Sequence, residues 1–226
     1  MTRGITGFGG VRCSMTKDID LYTHSSIRII EGDRRVYIDP FQMRREPKNA
    51  DFILITHDHH DHFSPEDIEK VACENTVLVV PETMLEKAKT VYDLVGEIVT
   101  VKPGEKYTFN ELRLEAVAAY NIEKPFHPKE EGCVGYVVII GGHRIYIAGD
   151  TDMTAEALDV ICDIALVPVG GTYTMDAREA AKLVNKLKPK IAIPTHYGSI
   201  VGSKKAAEIF RDHVDPSIEV EIKMMY

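Results

Sequence analysis

Four of the nine histidines in this chain fall between positions 57 and 62, in the run Ile55-Thr56-His57-Asp58-His59-His60-Asp61-His62. A short apolar, strand-like stretch (residues 52–55) leads directly into it, so a rigid element anchors the imidazoles and carboxylates. His57 and His59 are two apart, and in an extended segment their side chains point the same way and can hold one metal ion. Asp61 and His62 follow on the turn into the next helix and can point to a second ion close by. Imidazole and carboxylate without thiolate suit Zn²⁺, Fe²⁺ or Mn²⁺ better than a soft-metal site. The bland alternative is a solvated loop that happens to hold histidines; the spacing and the preceding strand favour ligation. His60 falls between the ligand positions, with a substrate-side role and no role equally open.

Two later segments repeat the theme after strand-like runs: Ala148-Gly149-Asp150-Thr151 and Pro194-Thr195-His196-Tyr197-Gly198. Taken alone, Asp150 reads equally well as a helix cap, and His196 as a hydrogen-bonded core histidine. In order behind the first run, both read as metal ligands. Asp39, before Pro40, either orients a ligand histidine through its free ring nitrogen or simply ends a hairpin. His143 and His213 carry no assigned function.

His57-x-His59-x-Asp61-His62 resembles the HxHxDH signature of the metallo-β-lactamase superfamily, and the Asp150 and His196 segments are similar to its later acidic and histidine motifs. The likeness runs from about residue 18 to the C-terminus. Within the superfamily the chain resembles hydrolases near L-ascorbate-6-phosphate lactonase and N-acyl phosphatidylethanolamine phospholipase D, through His24-Ser25-Ser26, Asp39-Pro40 and Gly170-Gly171-Thr172-Tyr173-Thr174-Met175. This implies an α/β fold, a four-layer αββα sandwich, with a dinuclear site at one edge of its two sheets.

The implied cofactors are two divalent ions, Zn²⁺ first, with Mn²⁺ or Fe²⁺ as alternatives. His57, His59 and His127 would bind one, Asp61, His62 and His196 the other, and Asp150 both. His127 enters because Asn121 stands where such proteins usually carry a third histidine, and imidazole is the better zinc ligand. The rivals at that position are Asn121 itself, water, or an incomplete first site. The implied reaction is attack of a metal-bridged hydroxide on an ester, lactone or phosphodiester, with Asp61 also orienting the nucleophile. His24, Tyr173 and Tyr197 are candidates to contact substrate or stabilise an oxyanion, each against packing or a supporting role behind the ligands. The competing functions are a non-catalytic metal-binding or sensor protein, a nuclease among hydrolases, and a di-iron oxidoreductase. The last usually brings Glu where His59 stands, together with a flavin domain for which this length leaves no room.

The elements that must position these groups alternate through the chain. Strand patterns occur near 19–21, 27–30, 36–38, 52–55, 77–80, 98–101, 107–109, 112–119, 134–140, 144–148, 164–167, 191–193 and 218–222. Hairpin turns fall at Gly32-Asp33 and Gly141-Gly142. Helices are expected from Ser64-Pro65 onward, over about 81–94, near 154–161, over 176–187 with Asp176 and Glu179 spaced as a capping box, and over 203–212. The polar loop 121–132 is long enough to suggest function.

The 226 residues with 44% hydrophobic and 27% charged content describe one globular domain, residues 15–226, with residues 1–14 as an N-terminal extension. A formal net charge of −8 gives no general attraction to phosphate backbones or anionic lipid. No nucleic-acid partner or membrane insertion is expected; a small-molecule substrate is, and an oligomer remains open. Cysteines 13, 73, 133 and 162 form no CxxC pair, which suits a reducing cytoplasm. No secretory signal or apolar run of about 18 residues is present.

Overall fold

The computed structural model describes residues 15–225; the expected extension, residues 1–14, lies outside them. Two mixed sheets stack face to face. The first has six strands in chain order: β1 (Ile19–Leu21), β2 (Ile27–Glu31), β3 (Arg34–Ile38), β4 (Phe52–Leu54), β5 (Val77–Pro81) and β6 (Glu97–Val101). The second has seven, β7 (Lys106–Phe109), β8 (Leu112–Ala118), β9 (Val134–Ile140), β10 (His143–Ile147), β11 (Ile164–Pro168), β12 (Ile191–Thr195) and β13 (Glu219–Val220), running across the sheet in reverse order. Pairing is parallel from β3 to β6 and from β10 to β13, and antiparallel elsewhere.

Side-chain alternation explains the layering. In β5, Val77 and Val79 face the second sheet, while Leu78 and Val80 join a separate core under the helices. Ile53 of β4 makes the same outward choice between Phe52 and Leu54. That outer core is closed by Ile68 and Val71 of α1 (Pro65–Val71) and by Ala88 of α2 (Leu85–Ala88). On the far side, α4 (Ala177–Leu187) and α5 (Lys205–His213) cover the second sheet with Ala180, Ala181, Val184 and Phe210. The expected αββα sandwich is the observed one.

The local signals behave as their chemistry requires. Ser64 accepts from the Asp67 amide at the start of α1, and Asp176 and Glu179 form the reciprocal capping box of α4. The expected helix over 81–94 is instead broken into two 3₁₀ segments around the single turn of α2, with a non-helical residue at Val91. β-branched Thr90 and Val91 sit at the break, and the Thr90 hydroxyl bonds the Lys87 carbonyl instead of leaving the helical ladder alone. The helix near 154–161 shortens to α3 (Ala155–Leu158), and the last strand to the two residues of β13.

Three bonds lock the sheets together at one edge: Tyr136 Oη to the Ile55 carbonyl (2.6 Å), the Val134 amide to Thr56 O (3.0 Å) and the His196 amide to His24 O (2.8 Å). Loops leaving the C-terminal ends of β1, β3, β4, β8, β10, β11 and β12 therefore converge there. Among the described residues, no helix is long and apolar enough to cross a membrane.

Candidate metal centre

The convergence produces two overlapping groups of ligand atoms. His57, His59 and His127 form one; His24, Asp61, His62 and His196 form another; and Asp150 stands within reach of His57 and His62. In the first group, His59 Nδ1 lies 3.1 Å from both His57 Nε2 and His127 Nε2. Tetrahedral bonds of about 2.1 Å put ligand atoms about 3.4 Å apart, so this spacing fits one small cation. In the second, Asp61 Oδ2 lies 3.6 Å from His62 Nε2 and 4.0 Å from His196 Nε2.

Asp150 faces both groups. Its Oδ1 is 3.4 Å from His62 Nε2, and its Oδ2 is 2.9 Å from His196 Nε2 and 3.7 Å from His127 Nε2. His62 Nε2 and Asp150 Oδ1 are buried with no hydrogen-bond partner. Orphaned polar atoms are costly in a protein interior unless something else satisfies them, and a cation would satisfy both. The donor set thus fits divalent metal on the structure's own terms, and the absence of thiolate favours zinc, manganese or iron over soft metals.

Three of the rings, those of His62, His57 and His127, have a partner on the nitrogen turned away from the cluster, an arrangement that fixes a ring's orientation. Asp39 Oδ2 lies 2.7 Å from His62 Nδ1, and the same carboxylate accepts from the Thr56 amide (2.8 Å) and hydroxyl (2.6 Å). Thr56 Oγ1 lies 3.0 Å from His57 Nδ1. Asn121 Oδ1 lies 3.0 Å from His127 Nδ1, while its amide nitrogen donates to the Tyr173 carbonyl (2.9 Å). Asp39 thus holds the His62 ring through the nitrogen that faces away from Asp150.

The backbone is bent to fit. His24, Asp39 and His196 all have positive φ (55°, 45° and 57°), a left-handed conformation that costs a non-glycine residue of the order of 1–2 kcal/mol. Gly170 lets the chain pass close: a Cβ there would sit 2.5 Å from the His196 carbonyl oxygen.

Electrostatics separate the histidines. Burial pushes His57 well below the ordinary imidazole range and lowers His24 and His127 too. Burial also opposes charge on His62, but the carboxylates of Asp150, Asp39 and Asp61 outweigh it and hold that ring at about 9. Asp150 and Asp61 resist burial likewise; the surrounding histidines keep both well below the usual carboxylate range.

The seven expected ligands, His57, His59, Asp61, His62, His127, Asp150 and His196, are brought together. His24 packs directly behind the cluster, as one of its open readings has it. It is fully buried, with Nε2 3.0 Å from Asp61 Oδ2. Nothing local to His24-Ser25-Ser26 signals that the chain crossing from β12 brings His196 against it. Tyr173 packs edge to face on Phe126, their ring centroids 4.6 Å apart, and Tyr197 is buried. His60 is exposed beside Asp61. His143, near Asp163, and His213, against Arg178, lie in other contacts.

Comparison with known proteins identifies the family. Residues 18–196 match the model of the beta-lactamase superfamily domain. The UPF0173 metal-dependent hydrolase of Aeropyrum pernix is 31% identical over 85% of this chain and 87% of its own. The corresponding protein of Thermococcus kodakarensis is 33% identical over 86% and 91%. A crystal structure from Parabacteroides distasonis, solved as that of a candidate metal-dependent hydrolase, is 32% identical, covers 92% of this chain and 93% of that one, and superposes with a TM-score of 0.77.

Proposed function

The chain belongs to the beta-lactamase superfamily and is a metal-dependent hydrolase, and from that premise we propose that it works through a dinuclear centre on an ester, lactone or phosphodiester. His57, His59 and His127 hold one divalent ion, Asp61, His62 and His196 the other, and Asp150 lies between them. The observation that carries this reading is the bidentate placement of Asp150, with oxygens at 3.4 Å from His62 and 2.9 Å from His196 and a reach of 3.7 Å to His127. When bound, the ions supply Lewis acidity and make water nucleophilic near neutral pH. Zinc is the first candidate.

The chain's own residues do the rest. Asp39 and Asn121 fix the tautomers of His62 and His127, leaving each Nε2 free to ligate. Asp61 presents a carboxylate to the second group, where it can orient the attacking water. His24, bonded to the same Asp61 oxygen, steadies that carboxylate. The free thiols of Cys73, Cys133 and Cys162 suit a reducing cytoplasm.

Chelator-stripped protein should not turn over 4-nitrophenyl acetate, and zinc or manganese should restore activity to the native chain but not to Asp150→Ala. Equal turnover by stripped and reloaded protein would end the metal-hydrolase reading.

A further inference from the structure

Beside the ligand cluster, a cavity of about 570 Å³ opens between the turn after β1 and the loop after β3. That volume is in the usual range for small-molecule sites. Thr23, one residue before His24, lines it, and so do Gln42 and Met43. None of the seven proposed metal ligands does. Phe41 adjoins both places: its ring centroid lies 6.3 Å from those of His24 and His60, and the next two residues are cavity wall.

The charge of the cavity runs against that of the chain. Arg28, Arg44 and Arg45 line it against one acid, Asp20, in a protein of formal net charge −8. Arg28 is already paired. Its Nε lies 3.0 Å from Asp20 Oδ2, and its guanidinium sits over the Tyr22 ring, 5.7 Å from the centroid. Arg44 and Arg45 are exposed, and among the described residues neither has an ion-pair partner. Glu46 beside them is exposed and does not line the cavity. Burial pushes the Tyr22 hydroxyl up to about 12, so it stays protonated and adds no charge. Met43, Pro47 and Met225 supply apolar wall.

Part of that wall is fixed in advance. Gln42 is left-handed (φ 51°), a strained setting for a residue with a side chain. Asp67 of α1 holds it there, accepting from the Gln42 and Met43 amides at 2.8 Å each, and Lys70 Nζ lies 3.0 Å from the same carboxylate. Apolar walls with a few convergent polar groups are the ordinary make-up of a small-molecule site, and two unpaired guanidiniums select an anion.

We propose that this cavity binds a small organic anion at a site of its own beside the metal centre: Arg44 and Arg45 meet a carboxylate or phosphate, and an apolar body lies against Met43, Pro47 and Met225. The site does not depend on what the metal centre hydrolyses.

Calorimetry on the full chain, chelator-stripped and zinc-loaded, tests this with octanoate and octyl phosphate as probes and acetate and 1-octanol as controls. At least one probe should bind one to one, about tenfold or more tighter than acetate, which lacks the body, and than octanol, which lacks the charge. The tighter probe names the head group. The site should fill equally well in both forms of the protein. Affinity should fall about tenfold or more in Arg44→Ala/Arg45→Ala and recover in part in Arg44→Lys/Arg45→Lys. Both side chains are exposed, so zinc content and unfolding midpoint should not move. Binding of neither probe, binding only to zinc-loaded protein, or an affinity indifferent to the arginines overturns the site. None of these outcomes touches the hydrolase reading, which turnover decides.

Discussion

Asn121 Oδ1 faces Nδ1 of His127 at 3.0 Å, and the Asn121 backbone N–H donates to the His127 carbonyl at 2.8 Å. The two residues that competed for one position are thus partners. The asparagine turns the ring, and the ring's Nε2 reaches His59 and Asp150.

His127→Ala should therefore lose most of the metal bound in the first group while retaining the second. Asn121→Ala should weaken the same ion by about 10- to 100-fold, the usual effect of losing an outer partner. Metal content after dialysis against graded chelator checks the ranking; a greater loss in Asn121→Ala would make the amide the ligand.

A second prediction concerns Asp39, which is buried and bonded to His62 and twice to Thr56. Asp39→Ala should destabilise the fold by about 3 kcal/mol, because it strands buried partners, and should weaken the second ion. Asp39→Asn keeps an acceptor and should cost less in both. Denaturant midpoints and zinc affinity measure the two effects; an unperturbed Asp39→Ala would return this residue to a simple strand end.

Much of this was legible in the sequence, for a physical reason. Strand periodicity and short apolar runs mark layers, and the run from His57 to His62 is a local motif whose spacing needs no tertiary information. Asp150 and His196 stand out in the sequence only in order behind that run; alone, Asp150 reads equally well as a helix cap and His196 as a core histidine. What stayed hidden depends on contacts distant in sequence: the approach of His196 to His24, the ties from Asn121 to both Tyr173 and His127, and the break at Val91, where side-chain-to-backbone bonding overrides a helical pattern. His127 lay between these cases, since its loop was long enough to fold back but only the folded chain shows Asn121 holding it.

Gly170→Ala should damage the site without touching a ligand. Its Cβ would meet the His196 carbonyl oxygen at 2.5 Å and the ring Nδ1 at 3.0 Å, and backbone cannot swing aside as a flexible side chain can. A loss of about 1–3 kcal/mol is expected, with zinc lost from the second group first. Wild-type stability and zinc content would show that the β11–α4 loop has room to spare.

Metal binding should release protons. His62 stands at about 9 in the metal-free protein and is protonated at pH 7, but it must be neutral to ligate. Its folded value is raised, so the proton is present below that value and absent above it. Binding at pH 7 should thus release about one proton from this ring, and affinity should climb with pH and level off above about 9. His57 and His127, lowered by burial, are already neutral and add nothing. Calorimetry in buffers of different ionisation enthalpy counts the protons; zero release would mean that His62 is not a ligand.

The most direct test of a two-ion centre is anomalous diffraction at the zinc edge from crystals of zinc-loaded protein. Two peaks about 3.5–4 Å apart are expected, one among His57, His59 and His127, the other among Asp61, His62 and His196, with the Asp150 carboxylate between them. A single peak, or zinc bound away from these side chains, would contradict it.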